Sequence, residues 1–220
     1  LIDFCQDASI KAESVFIALH GGIGEDGTIQ RLLARFGVSH NGSGEELSKL
    51  AMDKYLFGLM VNECQLDSVS SLAKVCIERS FIEALCDEKK LTYWESLCTM
   101  LDSSVLLLKP RSLGCSTGVM VCRDINDFMH WAEKGIITEQ YIAEPYIHID
   151  SMRVENNQLC HEAKDGWIEM TVVVWEKEGS YTSKQPSITV SKGSVLSVEE
   201  KFQGGTGINI TPPPSDLVSA

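Results

Sequence analysis

Leu108-Lys109-Pro110-Arg111-Ser112-Leu113-Gly114-Cys115-Ser116-Thr117-Gly118-Val119 decides how the rest of this chain is read. An apolar run, Val105 to Leu108, ends at Lys109-Pro110, and a second apolar run, Val119 to Cys122, follows a loop holding two glycines. The pattern predicts strand, loop, strand. Glycine lets loop backbone lie close against a ligand. Free N–H groups, with the hydroxyls of Ser116 and Thr117, can surround phosphate oxygens. Lys109 adds a point charge for the same anion. Taken alone, the stretch reads equally well as a hairpin beside a surface lysine.

A second segment shifts that balance. Val15 to Leu19 has the apolar pattern of a buried strand. It runs into His20-Gly21-Gly22-Ile23-Gly24-Glu25-Asp26-Gly27-Thr28. Ile29, Leu32, Leu33 and Phe36 then recur on one helical face, and Gly37 stands where a helix stops. Strand, glycine-rich turn and helix make half of a parallel α/β unit. In such folds ligands bind at the carboxyl ends of strands, where His20 lies.

These residues resemble a known family. His20 to Gln30 is similar to the HGxxGEDGxxQ segment of the D-alanine–D-alanine ligases. The landmarks that follow keep the family's order: Asn41 to Gly44, Ala51-Met52-Asp53-Lys54, the Lys109 to Gly118 loop, Ile142 to Ile147, and Trp167 to Val172. Pro186-Ser187-Ile188 and Glu199 to Phe202 resemble the last two. The segment between Ile147 and Trp167, and the stretch Glu200 to Gly207, look more like plant members than short bacterial ones.

The resemblance implies an ATP-grasp fold of mixed α/β and α+β class, truncated at both ends. Residues 1–52 would end an amino-terminal α/β substrate domain. Residues 53–147 would form the central ATP-grasp subdomain, and 148–220 the start of the carboxy-terminal one with its lid loop. The implied activity joins two D-alanines, a peptidoglycan building step, through an acyl phosphate made with ATP. Such chemistry depends on neutralising and positioning phosphate more than on protein nucleophiles, and no nucleophile–base pair stands out in the sequence.

By the same resemblance Lys109 and Lys54 hold ATP phosphates, with Gly114, Cys115 and Ser116 in the loop around them. Glu144 to Ile147 would form the strand beside adenine, and Glu169 would accept hydrogen bonds from the ribose. His20, Glu25 and Phe202 would lie at the amino-acid sites. Lys201 would belong to a lid that excludes water from the acyl phosphate. Ser116 and His20 complete the implied catalytic set with Lys201. Each has a plainer reading as well: Lys54 as a solvated helix lysine, Glu144 as a strand-end carboxylate, Glu169 as an outward strand residue, and Glu25 as a helix cap.

Two positions depart from the family pattern. Cys115 stands where a serine is usual, and Phe202 where a tyrosine is usual. Both changes weaken polar contacts near the second amino-acid site, so a ligase with another amino-acid or hydroxy-acid acceptor is the second reading. The magnesium-holding strands of the family are expected beyond Ala220. This piece is therefore expected to lack ligase activity by itself, and a non-catalytic nucleotide-binding module is the third reading.

Composition sets the remaining bounds. The 220 residues carry a net charge of −12, an isoelectric point near 4.8 and a mean hydropathy of −0.02. Such a surface disfavours nucleic acid and anionic lipid, so a phosphate site must gather its cations locally, from Lys54, Lys109 and Lys201. No apolar run approaches the ~20 residues that span a membrane. The eight cysteines include no C-x-x-C pair and read as reduced core residues. No metal-binding set is expected within the chain. An intracellular setting is expected, cytoplasmic or plastid stroma, with ATP and D-alanine or a similar amino acid as partners and a homodimer compatible with the family.

Local patterning completes the expectations. Leu72, Val75, Cys76 and Arg79 are spaced as a helix, as are Ile82, Leu85 and Cys86. Asp124 should cap a helix reaching Lys134. Residues 148–166 are polar and predict a loop insertion. Ile168 to Trp175 and Ile188 to Val190 predict strands.

Overall fold

The computed structural model describes residues 1–12, 14–156, 158–190 and 208–218. They fall into two units, Leu1–Tyr146 and Ile147–Ala220. Lys201 and Phe202 lie outside the described residues, as does the Gly204 to Gly207 segment.

The first unit begins with α1 (Ile2–Lys11), β1 (Ser14–Val15), a 3₁₀ turn at Gly22–Gly24, α2 (Thr28–Arg35) and β2 (Ser39–His40). β1 and β2 pair in parallel, Ser14 opposite Ser39 and Val15 opposite His40. The periodicity of α2 does its predicted work: Ile29 and Leu33 bury against Cys5, Ala8 and Val38. Gly37 ends the helix with φ +69, a conformation that favours glycine. The strand expected over Val15 to Leu19 is shorter than its pattern. Its ladder stops at Val15, and the Asn41 side chain takes over the pairing. Ile17 N–H donates to Asn41 Oδ1 at 2.6 Å, and Asn41 Nδ2 donates to the Ile17 carbonyl at 3.3 Å.

Two helices follow, α3 (Glu45–Met52) and α4 (Lys54–Glu63), with Asp53 between them. Then come β3 (Val75–Glu78), α5 (Arg79–Glu83), α6 (Asp87–Met100), β4 (Leu106–Pro110), β5 (Met120–Cys122), α7 (Ile125–His130) and β6 (Gln140–Pro145). The four strands form one antiparallel sheet in the order β3-β6-β4-β5. Strand, loop, strand is what the Lys109 stretch predicts. The helical reading of Leu72 to Arg79 is corrected: Val75–Glu78 is a strand. Val75 and Ile77 are β-branched and suit a pleated surface, Ile77 is buried, and the whole segment pairs with Gln140 to Ala143.

One face of this sheet is packed. Ile77, Leu106, Leu108, Cys122, Tyr141 and Ala143 meet Ile82, Trp94, Leu97 and Leu101, with Phe128 and Trp131. Asp124 caps α7 as expected, accepting from Asn126 N at 2.8 Å and Asp127 N at 3.0 Å. The helix continues as one π turn, Trp131–Gly135. Trp131 meets Tyr141 edge-on at 5.1 Å between ring centroids, a geometry worth ~0.5–1.5 kcal/mol beyond its buried area. Tyr141 donates its hydroxyl proton to the Gly135 carbonyl and accepts from Ile137 N–H, both at 3.0 Å. Cys5 and Cys122 are buried as core residues should be, and burial pushes the Cys122 thiol up to about 12. Cys64 and Cys86 are exposed, against expectation.

The second unit is built from strands. Ser151–Glu155 (β7) and Gln158–Glu162 (β8) form a hairpin where a loop is expected. Met170–Thr171 (β9), Ser187–Val190 (β12) and Ile208–Ile210 (β13) make an antiparallel sheet in the order β13-β12-β9. Val174–Lys177 (β10) and Ser180–Ser183 (β11) form a second hairpin, and α8 (Ser215–Val218) follows β13. The predicted strand from Ile168 to Trp175 is thus two short ones. Asp150 organises the first hairpin. Its carboxylate accepts from the N–H groups of Lys164, Asp165 and Gly166 at 2.8, 3.1 and 2.9 Å, and its other oxygen lies 2.9 Å from His161 Nε2. Among the described residues, no helix is long and apolar enough to cross a membrane.

Candidate functional site

The site grows out of the pleat of β4. Leu106, Leu108 and Pro110 turn into the core, so Leu107 and Lys109 lie on the other face. Across the ladder Leu107 faces Glu144 and Lys109 faces Ile142. Lys109 and Glu144 are therefore diagonal neighbours on one face, and their ammonium and carboxylate form an ion pair. On the far side of β6 the register places Val75 opposite Ala143, so the preceding Lys74 arrives beside Glu144. Its Nζ lies 3.4 Å from Glu144 Oε2. One carboxylate with a side chain only 6 % exposed thus sits between two ammonium groups, one on β4 and one just ahead of β3.

Asp53 and Arg111 fix where the third lysine begins. The Asp53 side chain caps α4, accepting from Tyr55 N at 3.1 Å and Leu56 N at 3.0 Å. Arg111 grips the same carboxylate through Nε at 2.9 and 3.0 Å and Nη2 at 2.7 Å. Burial alone would push the Asp53 carboxyl up; Arg111 and the two backbone N–H groups outweigh it and hold it below the usual carboxylate range. Lys54, the first helical residue, donates its backbone N–H to the Arg111 carbonyl at 3.1 Å and its Nζ to the Leu113 carbonyl at 2.6 Å. Burial, then the charge of Lys109, lowers the Lys54 ammonium from its ordinary range, while Glu144, Asp53 and Glu25 oppose that shift.

The loop after Lys109 is held in an uncommon shape. Cys115 and Ser116 both have positive φ, +58 and +56, a region that costs side-chain-bearing residues energy and often marks a functional loop. Gly118 follows at φ +70, and a Cβ there would meet Ile137 Cδ1 at 2.7 Å. The loop also approaches the glycine turn after β1. A Cβ on Gly114 would lie 3.2 Å from the Gly21 Cα and 3.4 Å from Glu25 Oε2. Glu25 accepts the Gly21 N–H at 2.7 Å, and its other oxygen is 3.9 Å from His20 Nδ1. Below this turn, a cleft of about 640 Å³ runs between residues Phe16 to Glu25 and Asn41 to Met52, with His20, Glu25 and Ser43 on its walls.

The structure therefore brings His20, Glu25, Lys54, Lys109, Gly114 and Glu144 into one neighbourhood of the first unit, with Cys115 and Ser116 in the loop between them. Ile147 and Glu169 belong to the second unit, and Glu169 is exposed just before β9. Lys201 and Phe202 are outside the described residues. Lys74 and Arg111 were not anticipated. Alternation across Lys74, Cys76 and Glu78 was the available signal for Lys74, and a helical spacing concealed it.

No family model matches the chain. Individual proteins do. A D-alanine–D-alanine ligase of Fervidobacterium nodosum is 33 % identical over 143 residues, covering 60 % of this chain and 43 % of that protein. One from Leptospira biflexa is 26 % identical over 205 residues, covering 91 % of this chain and 50 % of that protein. The chain is a relative of the D-alanine–D-alanine ligases. It spans about half the length of these curated ligases. The crystal structure of D-alanyl-alanine synthetase A from Vibrio cholerae superposes with a TM-score of 0.62 at 17 % identity, covering 94 % of this chain and 56 % of that one. That likeness shows the fold: this ligase relative has the mixed helix-and-sheet ATP-grasp architecture that the motif order implies.

Proposed function

We propose that this ligase relative belongs to an ATP-dependent carboxylate–amine ligase that joins two D-alanines through an acyl phosphate. One observation carries the reading: Lys54 and Lys109 converge beside a glycine loop whose Cys115 and Ser116 adopt positive φ. In a chain of net charge −12, a buried cationic corner of this kind suits a polyphosphate. ATP supplies the phosphoryl group. Lys109 and Lys54 bind and orient its phosphates, and the N–H and hydroxyl groups around Gly114 to Ser116 complete the cradle. The segment from Glu144 to Ile147, which runs off the end of β6, meets adenine, and Glu169 accepts from the ribose hydroxyls. His20, oriented by Glu25, lies against the first amino acid. The family pattern gives Lys201 to the phosphates and Phe202 to the second amino acid, both of them outside the described residues. The setting is intracellular.

Among the described residues no group of three or more His, Cys, Asp or Glu side chains is placed to hold a metal, so these residues do not fit a magnesium ion.

Calorimetric titration with ATP tests the reading. The chain should bind ATP, and Lys109→Ala should weaken binding by about 2–3 kcal/mol, the worth of a charge-assisted contact. Equal affinity of Lys109→Ala and wild type overturns the assignment.

Cys115 favours one variant of this function. A thiol is a weak hydrogen-bond partner, so the acceptor site is less polar and less strict about the second substrate. In a complete protein, Cys115→Ser with Phe202→Tyr should raise the kcat/KM ratio of D-alanine over D-lactate. An unchanged ratio removes this variant.

A further inference from the structure

Lys74 belongs to none of the sequence motifs. Its side chain is 11 % exposed, and it precedes β3 by one residue. Its ammonium donates to Ser71 Oγ at 2.6 Å and to the Leu72 carbonyl at 2.9 Å, and it lies 3.4 Å from Glu144 Oε2. The other oxygen of Glu144 belongs to Lys109. Two lysines of unequal freedom therefore share one buried carboxylate. Lys74 is tied down by two further acceptors. Among the described residues the Lys109 ammonium has Glu144 as its one side-chain hydrogen-bond partner, and it stands next to the glycine loop.

We infer that Lys74 is a positioning residue that keeps Glu144 neutralised when Lys109 turns from Glu144 to a nucleotide phosphate. The inference rests on the ATP reading above. Its physical ground is the cost of a lone buried charge. Pulling Lys109 away would leave the Glu144 carboxylate desolvated and unpaired, a severe penalty unless another cation stays. Lys74 is placed to be that cation. Its tethers at Ser71 and Leu72 keep it in position whichever way Lys109 points. In the empty site Glu144 holds Lys109 ready. In the occupied site Lys74 holds Glu144.

A double-mutant cycle on ATP affinity tests this, with thermal unfolding as the folding control. Lys74→Met should weaken ATP binding about tenfold by stranding Glu144, and Lys74→Arg, which keeps the charge, should stay within about threefold of wild type. In a Glu144→Gln background no carboxylate is left to strand, so adding Lys74→Met should change affinity by less than about twofold. Equal losses in both backgrounds would mean that Lys74 merely shapes the Ser71 loop, and the inference fails. If wild type binds and Lys74→Met binds equally well, the inference fails while the ATP reading stands. No binding by wild type sinks the ATP reading itself. A second measurement needs no variant: the carboxyl ¹³C signal of Glu144 at neutral pH. It should remain that of an ionised carboxylate after ATP is added; a move to the protonated position overturns the inference.

Discussion

Gly114 faces the Gly21 backbone so closely that a Cβ on it would lie 3.2 Å from the Gly21 Cα, which sets the phosphate-loop candidate after β4 beside the glycine turn after β1. Ninety-odd residues separate them in sequence. The approach depends on Gly114 carrying no side chain, whereas a Cβ on Gly21 would meet nothing within 4 Å; Glu25 accepts the Gly21 N–H, and the same Oε2 would lie 3.4 Å from a Cβ on Gly114.

A methyl group at Gly114 should therefore act on binding more than on folding. Its Cβ would need the Gly21 backbone to yield by a few tenths of an ångström. Gly114→Ala should cost about 1–2 kcal/mol of stability through overpacking and should weaken ATP binding by displacing the loop. Calorimetry against ATP, beside a urea melt, separates the two effects. Affinity equal to wild type would show that the loop–turn contact does not shape the site.

Asp53 predicts a pH-dependent stability. Its carboxyl is depressed when folded, so the stabilisation is present in full above its unfolded value of ~3.9 and is lost as pH falls through the lower folded value. Asp53→Ala removes both the α4 cap and the Arg111 partner, and should cost about 2–4 kcal/mol at neutral pH. Urea denaturation at several pH values checks both points. Below pH ~4 the gap between variant and wild type should close; a gap independent of pH would refute the assignment.

Lys54 predicts proton uptake on binding. Burial and Lys109 lower its ammonium in the free chain, and an arriving phosphate would raise it again. ATP affinity should then fall as pH rises through the lowered range, and titration heats should differ between buffers of different protonation enthalpy. Lys54→Arg, charged throughout, should flatten the pH profile. Buffer-independent heats at alkaline pH would count against Lys54 as a phosphate ligand.

The fourth expectation concerns the second unit. Asp150 gathers three backbone N–H groups and His161. The Lys164 N–H first, then His161, hold its carboxyl well below the ordinary range. Asp150→Ala should leave those N–H groups without their acceptor, and amide exchange at Lys164, Asp165 and Gly166 should speed up severalfold. The β4–β6 ladder should keep its protection. Unchanged exchange at the three amides would show that the turn stands without Asp150.

How much of this was legible beforehand depends on the range of the forces involved. Local periodicity placed α2, and a local cap placed the start of α7, because both depend on residues within a turn of each other. The strands flanking the Lys109 loop were equally plain, since Val105 to Leu108 and Val119 to Cys122 are short apolar runs on either side of it. Leu72 to Arg79 misled because a three-and-four spacing coincided with a strand whose partner, Gln140 to Ala143, lies more than sixty residues away. Reading it as a helix hid Lys74. The hairpin at Ser151 to Glu162 looked like loop because its residues are polar; backbone pairing and the Asp150 turn hold it, and neither leaves an apolar signature. Motif order pointed to the ATP-grasp fold, but no motif could reveal that Gly114 would rest on Gly21, or that Glu144 would be shared by two lysines.

The four tryptophans divide evenly by environment. Trp94 and Trp131 are packed in the aromatic core of the first unit, whereas Trp167 and Trp175 in the second are 58 % and 60 % exposed. An indole in an apolar surrounding emits at shorter wavelength than one in water. The chain thus carries its own two-colour label, with the blue edge of its fluorescence coming from one unit and the red edge from the other. When a denaturant shifts the emission to the red, the signal will come almost wholly from the first unit. A quencher dissolved in the buffer will silence the second unit first. Collisional quenching of the intact protein would thereby isolate the spectrum of the unit that carries Lys54, Lys74, Lys109 and Glu144, with no added dye.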